Sequence, residues 1–288
     1  MTFNKVLVTG SKGFVGTHLC KYLKENGFQI VTTNNKHKPI DVTNNDQLLK
    51  IDDVSAIVHL AAKTSITDSF IKPFETYSTN FIGTLNVLEL ARTRNIKKLI
   101  NVSTYVYGQP QYLPVDEKHS VNPHSPYNYS KLMAENICQI YSHYFGMNIV
   151  TLRPFYVYGP NHGNRSLIPS VIKQIKKDGK VKLSGKKIKR DFLFVTDFVY
   201  LIEKILQDFP KGYNIYNVGY GKSHSLNQVA VELARLIGKK IKIEFSKGIN
   251  PDVSDMIADI RKVSQEFNWR PTIDIKRGLE LIVGGSSN

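Results

Sequence analysis

The sequence contains very few cysteines and no long apolar segment. Two of its 288 residues are cysteines, and Cys20 and Cys138 both lie in segments whose apolar residues have helical spacing. Two such thiols are interpreted as small buried side chains in a reducing compartment rather than as a disulfide framework. No run of eighteen apolar residues occurs, and Met1 leads into a core-type strand without a signal-peptide pattern. We therefore expect a cytoplasmic protein with no membrane partner.

Acidic residues are also scarce relative to basic ones. The 24 Asp and Glu residues against 39 Lys and Arg residues give a formal net charge of +15, which makes a nucleic-acid-binding protein one alternative. The lysines are spread along the chain, however, and runs such as "SGKKIKRD" adjoin apolar strands. No helix-turn-helix, zinc-finger or RRM pattern is present, and the eight histidines lack metal-ligand spacing. We expect a basic surface that attracts small anions, with no nucleic acid and no metal.

Strand and helix patterns alternate through the first half of the chain. Apolar runs such as "KVLVTG" and "AIVHLAA" alternate with amphipathic segments such as "THLCKYLKENG" and "YNYSKLMAENICQIYSHYFG". This order predicts an α/β fold with a doubly wound parallel sheet. After Pro154 the rhythm changes, and "RPFYVYGPNHGN" has the glycine, proline and aromatic content of a loop. We predict a first domain at 1–155, with a returning segment at about 191–220, and a smaller C-terminal α/β domain mainly at 156–288.

The first predicted strand ends in a turn with three regularly spaced glycines. In "KVLVTGSKGFVGTHL", Gly10, Gly13 and Gly16 separate a buried strand from the start of a helix. Backbone N–H groups and the helix dipole at such a turn favour an anion, and glycine allows a pyrophosphate to approach closely. Taken alone, the turn also fits a tight strand-to-helix connection that binds no ligand.

The glycine turn is the first of several motifs that together resemble one enzyme family. "TGSKGFVG", "HLAA" at 59–62, "NFIGTLNVLELAR", "STYVYG" at 103–108 and "SPYNYSKLMAE" at 125–135 occur in the order found in extended short-chain dehydrogenase/reductases. "LRPFYVYGP", "RDFLFVTD" and "FNWRP" resemble landmarks of that family's substrate domain. The resemblance covers nearly the whole chain and is to the nucleotide-sugar epimerases, dehydratases and reductases. It implies a Rossmann-type NAD(P)-binding domain followed by a smaller substrate-binding domain.

The resemblance implies a catalytic triad of Ser103, Tyr127 and Lys131. Tyr127 and Lys131 are four residues apart, so a helix places them on one face. A tyrosine with a pKa near ~10 is a poor proton shuttle at neutral pH, and we expect the ammonium of Lys131 to lower that pKa. In the family pattern Ser103 holds the substrate oxygen, Tyr127 transfers the proton, and Lys131 also binds the nicotinamide ribose. The alternative is an ordinary surface pair on a helix.

The same motifs imply further contacts with a cofactor and a substrate. The cofactor contacts are Gly10, Lys12, Gly13, Phe14, Val15, Gly16, Asn34, Lys36, Asp41, Val42, Leu60, Ala61, Ala62, Asn80, Tyr127, Lys131 and Pro154. The substrate contacts are Lys63, Ser103, Thr104, Tyr105, Tyr156 and Arg190. Arg190 is expected to bind the substrate diphosphate, which suits a planar guanidinium, and Asp41 to receive the adenine amino group. The alternatives are a solvated Lys/Arg run around 190 and a simple turn aspartate at 41, and His59 is interpreted as a hydrogen-bonded core histidine.

The chain departs from the family pattern where the cofactor ribose is expected to bind. NAD-dependent members carry an acid at the end of the second strand, whereas that position here is Asn34, with Lys36 and Lys38 nearby. A carboxylate repels the 2′-phosphate of NADP, and lysines attract it. We therefore expect NADP(H), with NAD(H) as the alternative.

Other departures favour one reaction of the family. Dehydratases and decarboxylases carry an acid just after the active-site Ser or Thr, but Thr104 and Tyr105 follow Ser103 here. The connection between the second and third strands is short, as in reductases that exchange their cofactor. Tyr156 and Ile249 stand where epimerases often have an asparagine and a second diphosphate-binding arginine, so the placement of the substrate stays open.

These departures lead to one expected reaction and two alternatives. We expect an NADPH-dependent reductase of a nucleotide-linked 4-keto-6-deoxy sugar, acting as a homodimer. The first alternative is a UDP-hexose 4-epimerase that keeps NAD bound through its cycle. The second is a catalytically inactive nucleotide-sensing or scaffold protein, against which the intact Ser103, Tyr127 and Lys131 argue.

Overall fold

The computed structural model describes residues 5–33, 39–163, 166–246 and 253–285. The chain forms two compact units. Unit 1 comprises Met1–Gly108, Ser120–Pro154 and Val199–Tyr216, and unit 2 comprises Gln109–His119, Phe155–Phe198 and Asn217–Asn288. The sequence pattern predicts the change of domain at 155 and a returning segment at about 191–220. It contains no signal that residues 109–119 belong with the second unit.

The strands are short and mostly apolar. In chain order they are β1 (Lys5–Thr9), β2 (Gln29–Thr32), β3 (Ala56–His59), β4 (Lys98–Val102), β5 (Asn148–Pro154), β6 (Tyr156–Tyr158), β7 (Lys180–Ser184), β8 (Lys189–Phe194), β9 (Tyr213–Val218), β10 (Ser223–Ser225) and β11 (Lys242–Ser246).

The helices vary from one turn to more than five turns. In chain order they are α1 (Phe14–Glu25), α2 (Asn45–Leu48), α3 (Ile66–Ile71), α4 (Pro73–Tyr77), a π-helical turn (Ser78–Ile82), α5 (Gly83–Thr93), α6 (Pro126–Phe145), α7 (Leu167–Lys177), α8 (Val195–Gln207), α9 (Leu226–Ile237), α10 (Arg261–Phe267) and α11 (Ile275–Gly284). None of these described helices combines the length and apolar character needed to cross a bilayer.

A large parallel sheet organises unit 1. Its strand order is β2-β1-β3-β4-β5-β9, and the pairs β1–β2, β1–β3, β3–β4 and β4–β5 are parallel. β2 and β3 lie on opposite sides of β1, so the winding direction reverses between β1 and β3. Ligands of such sheets bind beyond the carboxyl ends of the strands at this reversal. The predicted α/β class with a doubly wound parallel sheet is confirmed.

The core of unit 1 follows from strand alternation. Leu7, Ile57, Leu99 and Ile149 are register partners on four adjacent strands, and all four are fully buried in one cluster with residues of α5 and α6. Cys138 belongs to this cluster, as predicted for a small apolar side chain, whereas Cys20 in α1 is only half-buried. Both thiols are free.

Unit 2 contains two small sheets and its own core. One sheet has the order β10-β8-β6 and the other pairs β11 with β7. Phe192 and Phe194 of β8 pack with apolar residues of α7, α9 and α11. The prediction of a continuous loop at 153–164 is wrong in its middle, because Tyr156–Tyr158 pairs in parallel with Phe192–Phe194. Aromatic side chains at alternate positions, Tyr156 and Tyr158, pack edge-on against Phe192 and stabilise this short strand.

Candidate active site

The glycine turn lies at the carboxyl end of β1, next to the end of β3. Gly10 has φ +66°, and a Cβ on it would lie 2.7 Å from the backbone nitrogen of Ala61. A Cβ on Gly16 would overlap the carbonyl oxygen of Gly10. Glycine is therefore required at both positions, because neighbouring backbone atoms lie too close for a side chain. The close contact at Gly10 places the turn against the half-buried Leu60, Ala61 and Ala62.

Gly13 differs from the other two glycines because it has more room. A Cβ there would lie 3.2 Å from the Gly10 carbonyl oxygen, and Gly13 is exposed. It is the N-cap of α1, no side chain caps this helix, and its first turn contains no acidic residue. The partial positive charge of the helix dipole at this end favours an anion. Lys12 is exposed beside this helix start, and Phe14 and Val15 are half-buried within its first turn. This cradle fits a pyrophosphate.

Thr9 and His59 tie the glycine turn to β3. The Thr9 hydroxyl oxygen lies 2.8 Å from His59 Nδ1 and accepts hydrogen bonds from the N–H groups of Leu60 (3.1 Å) and Ala61 (3.2 Å). His59 Nε2 lies 3.1 Å from the Thr84 hydroxyl oxygen on α5. His59 is 1% exposed, and burial together with the charge of Lys131 lowers its pKa to about 3. His59 is therefore a neutral, hydrogen-bonded core histidine, as the sequence predicts.

Asn80 lies in the π-helical turn and is the first residue of the motif "NFIGTLNVLELAR". Its Oδ1 accepts from the N–H of Lys63 (2.8 Å), and its Nδ2 donates to the Lys63 carbonyl (2.9 Å) and to Ser130 Oγ on α6 (2.9 Å). The side chain therefore joins the segment after β3 to the helix that carries Tyr127. Lys63 itself is exposed and forms an ion pair with Glu75 at 3.2 Å.

Tyr127 and Lys131 lie one turn apart on α6. The helix starts at Pro126 and is capped by Ser125, whose side chain accepts from the N–H of Asn128, and it ends at Gly146 with φ +61°. Pro126 and the cap fix where the helix begins, which sets the direction of Tyr127. The Asn128 side chain also donates to the carbonyl of Tyr105 (3.2 Å), which attaches the segment after β4 to the same helix start.

Ser103 is buried without any hydrogen-bond partner for its hydroxyl. It is 5% exposed, its N–H donates to the Leu152 carbonyl on β5 (2.7 Å), and its Oγ contacts no polar group of the described residues. Burying a hydroxyl without a partner costs about 1–3 kcal/mol. An orphaned hydroxyl at the carboxyl end of β4 fits a contact with a substrate oxygen.

The pKa of Tyr127 is shifted in the direction opposite to the one expected from the sequence. Burial raises the pKa of this half-buried tyrosine to about 12, and a hydrogen bond with Thr104 offsets only part of that rise. Burial also lowers the pKa of Lys131 to about 8. Burial destabilises the charged form of each group, and the attraction between Tyr127 and Lys131 that the sequence spacing suggests is not among the causes of either shift. Tyr127 is a neutral phenol at neutral pH.

A buried ion pair lies one turn beyond Lys131. Glu135 on α6 pairs with Arg153 on β5, at 2.5 Å between Oε2 and Nη2, and Arg153 also donates to the Tyr107 hydroxyl at 2.9 Å. Glu135 and Arg153 are 2% and 4% exposed. The carboxylate of Glu135 is thus neutralised by Arg153, which stabilises the packing of α6 against β5.

Of the remaining predicted cofactor contacts, the structure describes Asp41, Val42 and Pro154. Asp41 is exposed, and its carboxylate accepts from the N–H of Thr43 (2.9 Å). Val42 is buried, and a Cβ on Gly83 of α5 would lie 2.8 Å from it. Pro154 is buried at the end of β5. Asn34, Lys36 and Lys38, like Ile249, lie outside the described residues.

Two predicted substrate contacts belong to unit 2. Tyr156 is half-buried, and its hydroxyl accepts from the N–H of Leu167 at 3.2 Å. Arg190 is 9% exposed, and its Nη1 donates to the carbonyls of Lys189 (2.8 Å) and Val253 (2.7 Å). Arg190 is therefore a positioned guanidinium rather than a member of a solvated run. Thr104 and Tyr105, in unit 1, are buried and half-buried respectively.

Several residues that organise the site are not marked by the motifs or by the hydrophobic periodicity of the sequence. Thr9, Thr84 and Ser130 are common residue types, and they are 0% exposed. Their importance comes from hydrogen bonds to other elements, which span 50 residues from Thr9 to His59 and from Asn80 to Ser130, and 25 residues from His59 to Thr84. A polar residue within an otherwise apolar, buried segment is unusual, and this feature of the sequence could have indicated their role.

Comparisons with known proteins show similarity over nearly the whole chain. A family model described as the NAD-dependent epimerase/dehydratase family matches residues 6–219. A UDP-glucuronate 4-epimerase from Thermodesulfobacterium geofontis is 34% identical to this chain, over 97% of this chain and 95% of its own length.

Two solved structures are similar over nearly the whole chain. The structure of RMD from Pseudomonas aeruginosa complexed with NADPH has a TM-score of 0.90 and 27% identity, and the match covers 98% of each chain. The structure of UDP-glucose 4-epimerase from Thermotoga maritima with UDP-glucose has a TM-score of 0.90 and 26% identity, over 97% of each chain.

Proposed function

Because the chain belongs to the NAD-dependent epimerase/dehydratase family, we propose that it is an NADPH-dependent reductase of a nucleotide-linked 4-keto-6-deoxy sugar. The family comprises NAD(P)-dependent nucleotide-sugar epimerases, dehydratases and reductases, as the sequence motifs predicted. The choice among these reactions rests on the residues around Ser103 and Tyr127.

One observation carries the proposal: the orphaned Ser103 hydroxyl lies buried in the unit that holds the neutral phenol of Tyr127. A ketone oxygen accepts hydrogen bonds and gains negative charge as its carbon is reduced. Ser103 donates a hydrogen bond to that oxygen, and Tyr127 donates the proton that turns it into a hydroxyl. Neither group needs to lose a proton before the reaction starts.

The protonation of Tyr127 favours the reductive direction. A reduction takes up one proton, and with a pKa of about 12 Tyr127 holds that proton at neutral pH. A 4-epimerase begins with the oxidation of a hydroxyl, which requires a phenolate to remove the proton. Burial opposes that phenolate in this chain, so an epimerase cycle needs additional positive charge beside Tyr127.

The residues after Ser103 argue against elimination and decarboxylation. Thr104 and Tyr105 provide no carboxylate, and the Thr104 hydroxyl is engaged with Tyr127. A dehydration needs a carboxyl group that can exchange a proton near neutral pH, and these two positions supply none.

The proposed cofactor site uses the glycine turn and the end of β3. The N–H groups at the start of α1 hold the pyrophosphate, Leu60 to Ala62 line its side, and Lys131 binds the nicotinamide ribose. A bound pyridine nucleotide supplies the hydride. NADPH is preferred in this proposal because Asn34 replaces the ribose-binding acid, and RMD, which is similar over 98% of both chains, is described as complexed with NADPH.

A nucleotide sugar is the proposed substrate. Known relatives bind such compounds, among them the Thermotoga maritima enzyme with UDP-glucose. In unit 2 the guanidinium of Arg190, held by two backbone carbonyls, is the proposed contact for the diphosphate. Tyr156 is a second proposed contact with the substrate in that unit.

A UDP-hexose 4-epimerase is the second candidate. It is favoured by the 34% identity with a UDP-glucuronate 4-epimerase over almost the full length of both proteins. Ser103, Tyr127 and Lys131 would serve such an enzyme in both of its half-reactions.

The two candidates differ in what happens to the cofactor. The purified protein is incubated with nucleotide 4-keto-6-deoxy sugars and NADPH, and NADPH absorbance is recorded beside the sugar products. We expect little copurified cofactor and one NADPH oxidised for each ketosugar reduced. Interconversion of two UDP-hexoses by protein that carries NAD, with no added NADPH, would replace the reductase with the epimerase.

The cofactor preference is tested separately by titration of NADPH and NADH. We expect tighter binding of NADPH, and we expect Asn34→Asp to reverse or flatten the preference, because a carboxylate repels the 2′-phosphate. Lys12→Gln is the control, since it removes a charge at the pyrophosphate turn and should weaken both cofactors alike. A wild type that prefers NADH contradicts the proposal.

A further inference from the structure

A continuous chain of buried hydrogen bonds runs from the glycine turn to the helix of Tyr127. It passes from Thr9 to His59, from His59 to Thr84, and from Thr84 to the main-chain carbonyl of Asn80. The side chain of Asn80 then donates to Ser130. Ser130 Oγ then donates to the carbonyl of Tyr127 at 2.7 Å. Thr9, Thr84, Asn80 and Ser130 are 0% exposed and His59 is 1% exposed, so water does not compete with these bonds.

The direction of each hydrogen bond around His59 can be assigned. The Thr84 hydroxyl donates to the main-chain carbonyl of Asn80 at 2.6 Å, because a carbonyl oxygen only accepts. The Thr84 hydroxyl has no second proton to donate. In its contact with His59 at 3.1 Å, His59 Nε2–H is therefore the donor and Thr84 Oγ1 the acceptor. In a neutral imidazole, Nδ1 then carries no proton and accepts from the Thr9 hydroxyl at 2.8 Å.

The assignment is consistent at the other end of the network as well. Because the Thr9 proton points to His59, its oxygen lone pairs are free to accept the N–H groups of Leu60 and Ala61. A protonated His59 would direct its Nδ1–H at the Thr9 hydroxyl oxygen, which already accepts hydrogen bonds from two backbone N–H groups. The low pKa of His59, caused by burial and by Lys131, agrees with a permanently neutral ring.

We propose that His59, as the neutral Nε2–H tautomer, is a positioning residue that sets the glycine turn through Nδ1 and the Tyr127 helix through Nε2. This inference rests on the proposed function, because it assigns the two ends of the network to cofactor binding and proton transfer. His59 contacts neither reactant. It acts through Thr9 on the backbone at 60–61, and through Thr84, Asn80 and Ser130 on Tyr127.

Two amide substitutions separate the two halves of this role. In His59→Asn the amide oxygen takes the place of Nδ1 and keeps the acceptor for Thr9, but the donor to Thr84 is lost. In His59→Gln the amide nitrogen takes the place of Nε2 and keeps the donor, but the acceptor is lost. We expect the Asn variant to bind NADPH as the wild type does with kcat about tenfold lower, and the Gln variant to keep kcat with NADPH binding about tenfold weaker.

The matched controls are His143→Asn and His143→Gln, on the exposed face of α6. Both should leave NADPH affinity and kcat unchanged. NADPH affinity is measured by fluorescence, kcat by whichever sugar-nucleotide conversion the protein catalyses, and melting temperature is recorded for every variant. If the two His59 variants lose binding and turnover together, in proportion to their loss in melting temperature, the residue is only part of the core and the proposal is wrong.

The tautomer gives a readout that needs neither cofactor nor substrate. Two-bond nitrogen–proton correlation spectra of the wild-type protein should show His59 neutral, with the proton on Nε2, at every pH between about 5 and 9. A ring that titrates in this range, or that carries its proton on Nδ1, overturns the proposal even if both variants fail to fold. Failure of the protein to reduce ketosugars would overturn the proposed function and leave this result standing.

Discussion

At the scale of single residues, Tyr127 is the group on which the proposed chemistry depends most directly. Tyr127→Phe removes the hydroxyl but keeps the ring in α6. We expect turnover to fall by about 10²–10⁴-fold, because no other acid replaces the phenol, with little change in NADPH affinity. Steady-state kinetics and cofactor titration measure the two effects. Tyr200→Phe, at an exposed position of α8, is the matched control, and near-normal turnover by the Tyr127 variant would remove Tyr127 from the mechanism.

Lys131 adds a prediction about pH at the same scale. Its pKa is lowered to about 8 by burial, so the ammonium is present below that pH and is lost as the pH rises through it. We expect kcat/KM for NADPH to decrease above about pH 8, approaching tenfold per unit, because this ratio reports ionisations of the free enzyme. In Lys131→Arg the charge persists to high pH, so the rate is lower at every pH but the decrease above pH 8 disappears. An unchanged profile in that variant would assign the ionisation to another group.

At the scale of secondary-structure elements, the glycine turn and the start of α1 form one unit of structure. Gly10 and Gly16 cannot carry a Cβ without overlapping backbone atoms, whereas a Cβ on the exposed Gly13 would make one tight contact, 3.2 Å from the Gly10 carbonyl oxygen. We expect Gly13→Val to weaken NADPH binding by at least about 100-fold, because its side chain occupies the place of the pyrophosphate. Fluorescence titration measures the loss. Thr17→Val, which puts the same side chain at the next exposed turn of α1, should bind NADPH normally, and tight binding by a folded Gly13 variant would place the pyrophosphate elsewhere.

The strand β8 and the helix α8 show how a second motif organises unit 2. In "RDFLFVTD", Asp191 accepts from the N–H groups of Tyr220 (2.6 Å), Gly221 (2.9 Å) and Ala258 (3.0 Å). Asp197 accepts from Thr272 and Ile273. Both carboxylates hold distant loops of the unit in place. The motif that the family resemblance connects with substrate binding is thus also a structural element, and the guanidinium of Arg190 within it is held by the carbonyls of Lys189 and Val253.

At the scale of the whole molecule, we propose that the chain is a homodimer formed through unit 1. Exposed apolar side chains recur on one face of α6 at spacings of four and seven residues, namely Tyr129, Met133, Ile140 and Tyr144. The neighbouring α3 and α4, which pack on α6, expose Phe70, Ile71 and Phe74, the last to 82%. An exposed apolar patch of this kind marks an interaction surface.

The dimer is tested by the solution mass of a charged variant. We expect Phe74→Glu to raise the monomer fraction strongly in light scattering, because a carboxylate buried in an apolar interface has no partner. Val231→Glu, at an exposed apolar position of unit 2, should leave the mass unchanged. A monomeric wild type, or a Phe74 variant that stays dimeric, would contradict the assigned surface.

Regular patterns made much of the fold and the site predictable. The apolar run "KVLVTG" contains β1 (Lys5–Thr9), and the amphipathic segment "YNYSKLMAENICQIYSHYFG" covers nearly all of α6 (Pro126–Phe145). These agree because local hydrophobic periodicity and backbone conformation depend on neighbouring residues. The short strand Tyr156–Tyr158 and the π-helical turn at Ser78–Ile82 were not predictable, because each is stabilised by partners distant in sequence, Phe192–Phe194 for the strand and Lys63 and Ser130 for Asn80 in the turn.

The sequence by itself determined the family, the parallel α/β architecture and the spacing of Gly10, Gly13, Gly16, Tyr127 and Lys131, because these depend on residues close together in the chain. Only the tertiary structure decided the protonation of Tyr127, the lack of a partner for Ser103 and the tautomer of His59. The pKa of a side chain depends on the free energy of its charged form, which burial changes far more than spacing along a helix does. The direction of a hydrogen bond, likewise, depends on which donors and acceptors the packing of separate elements brings together.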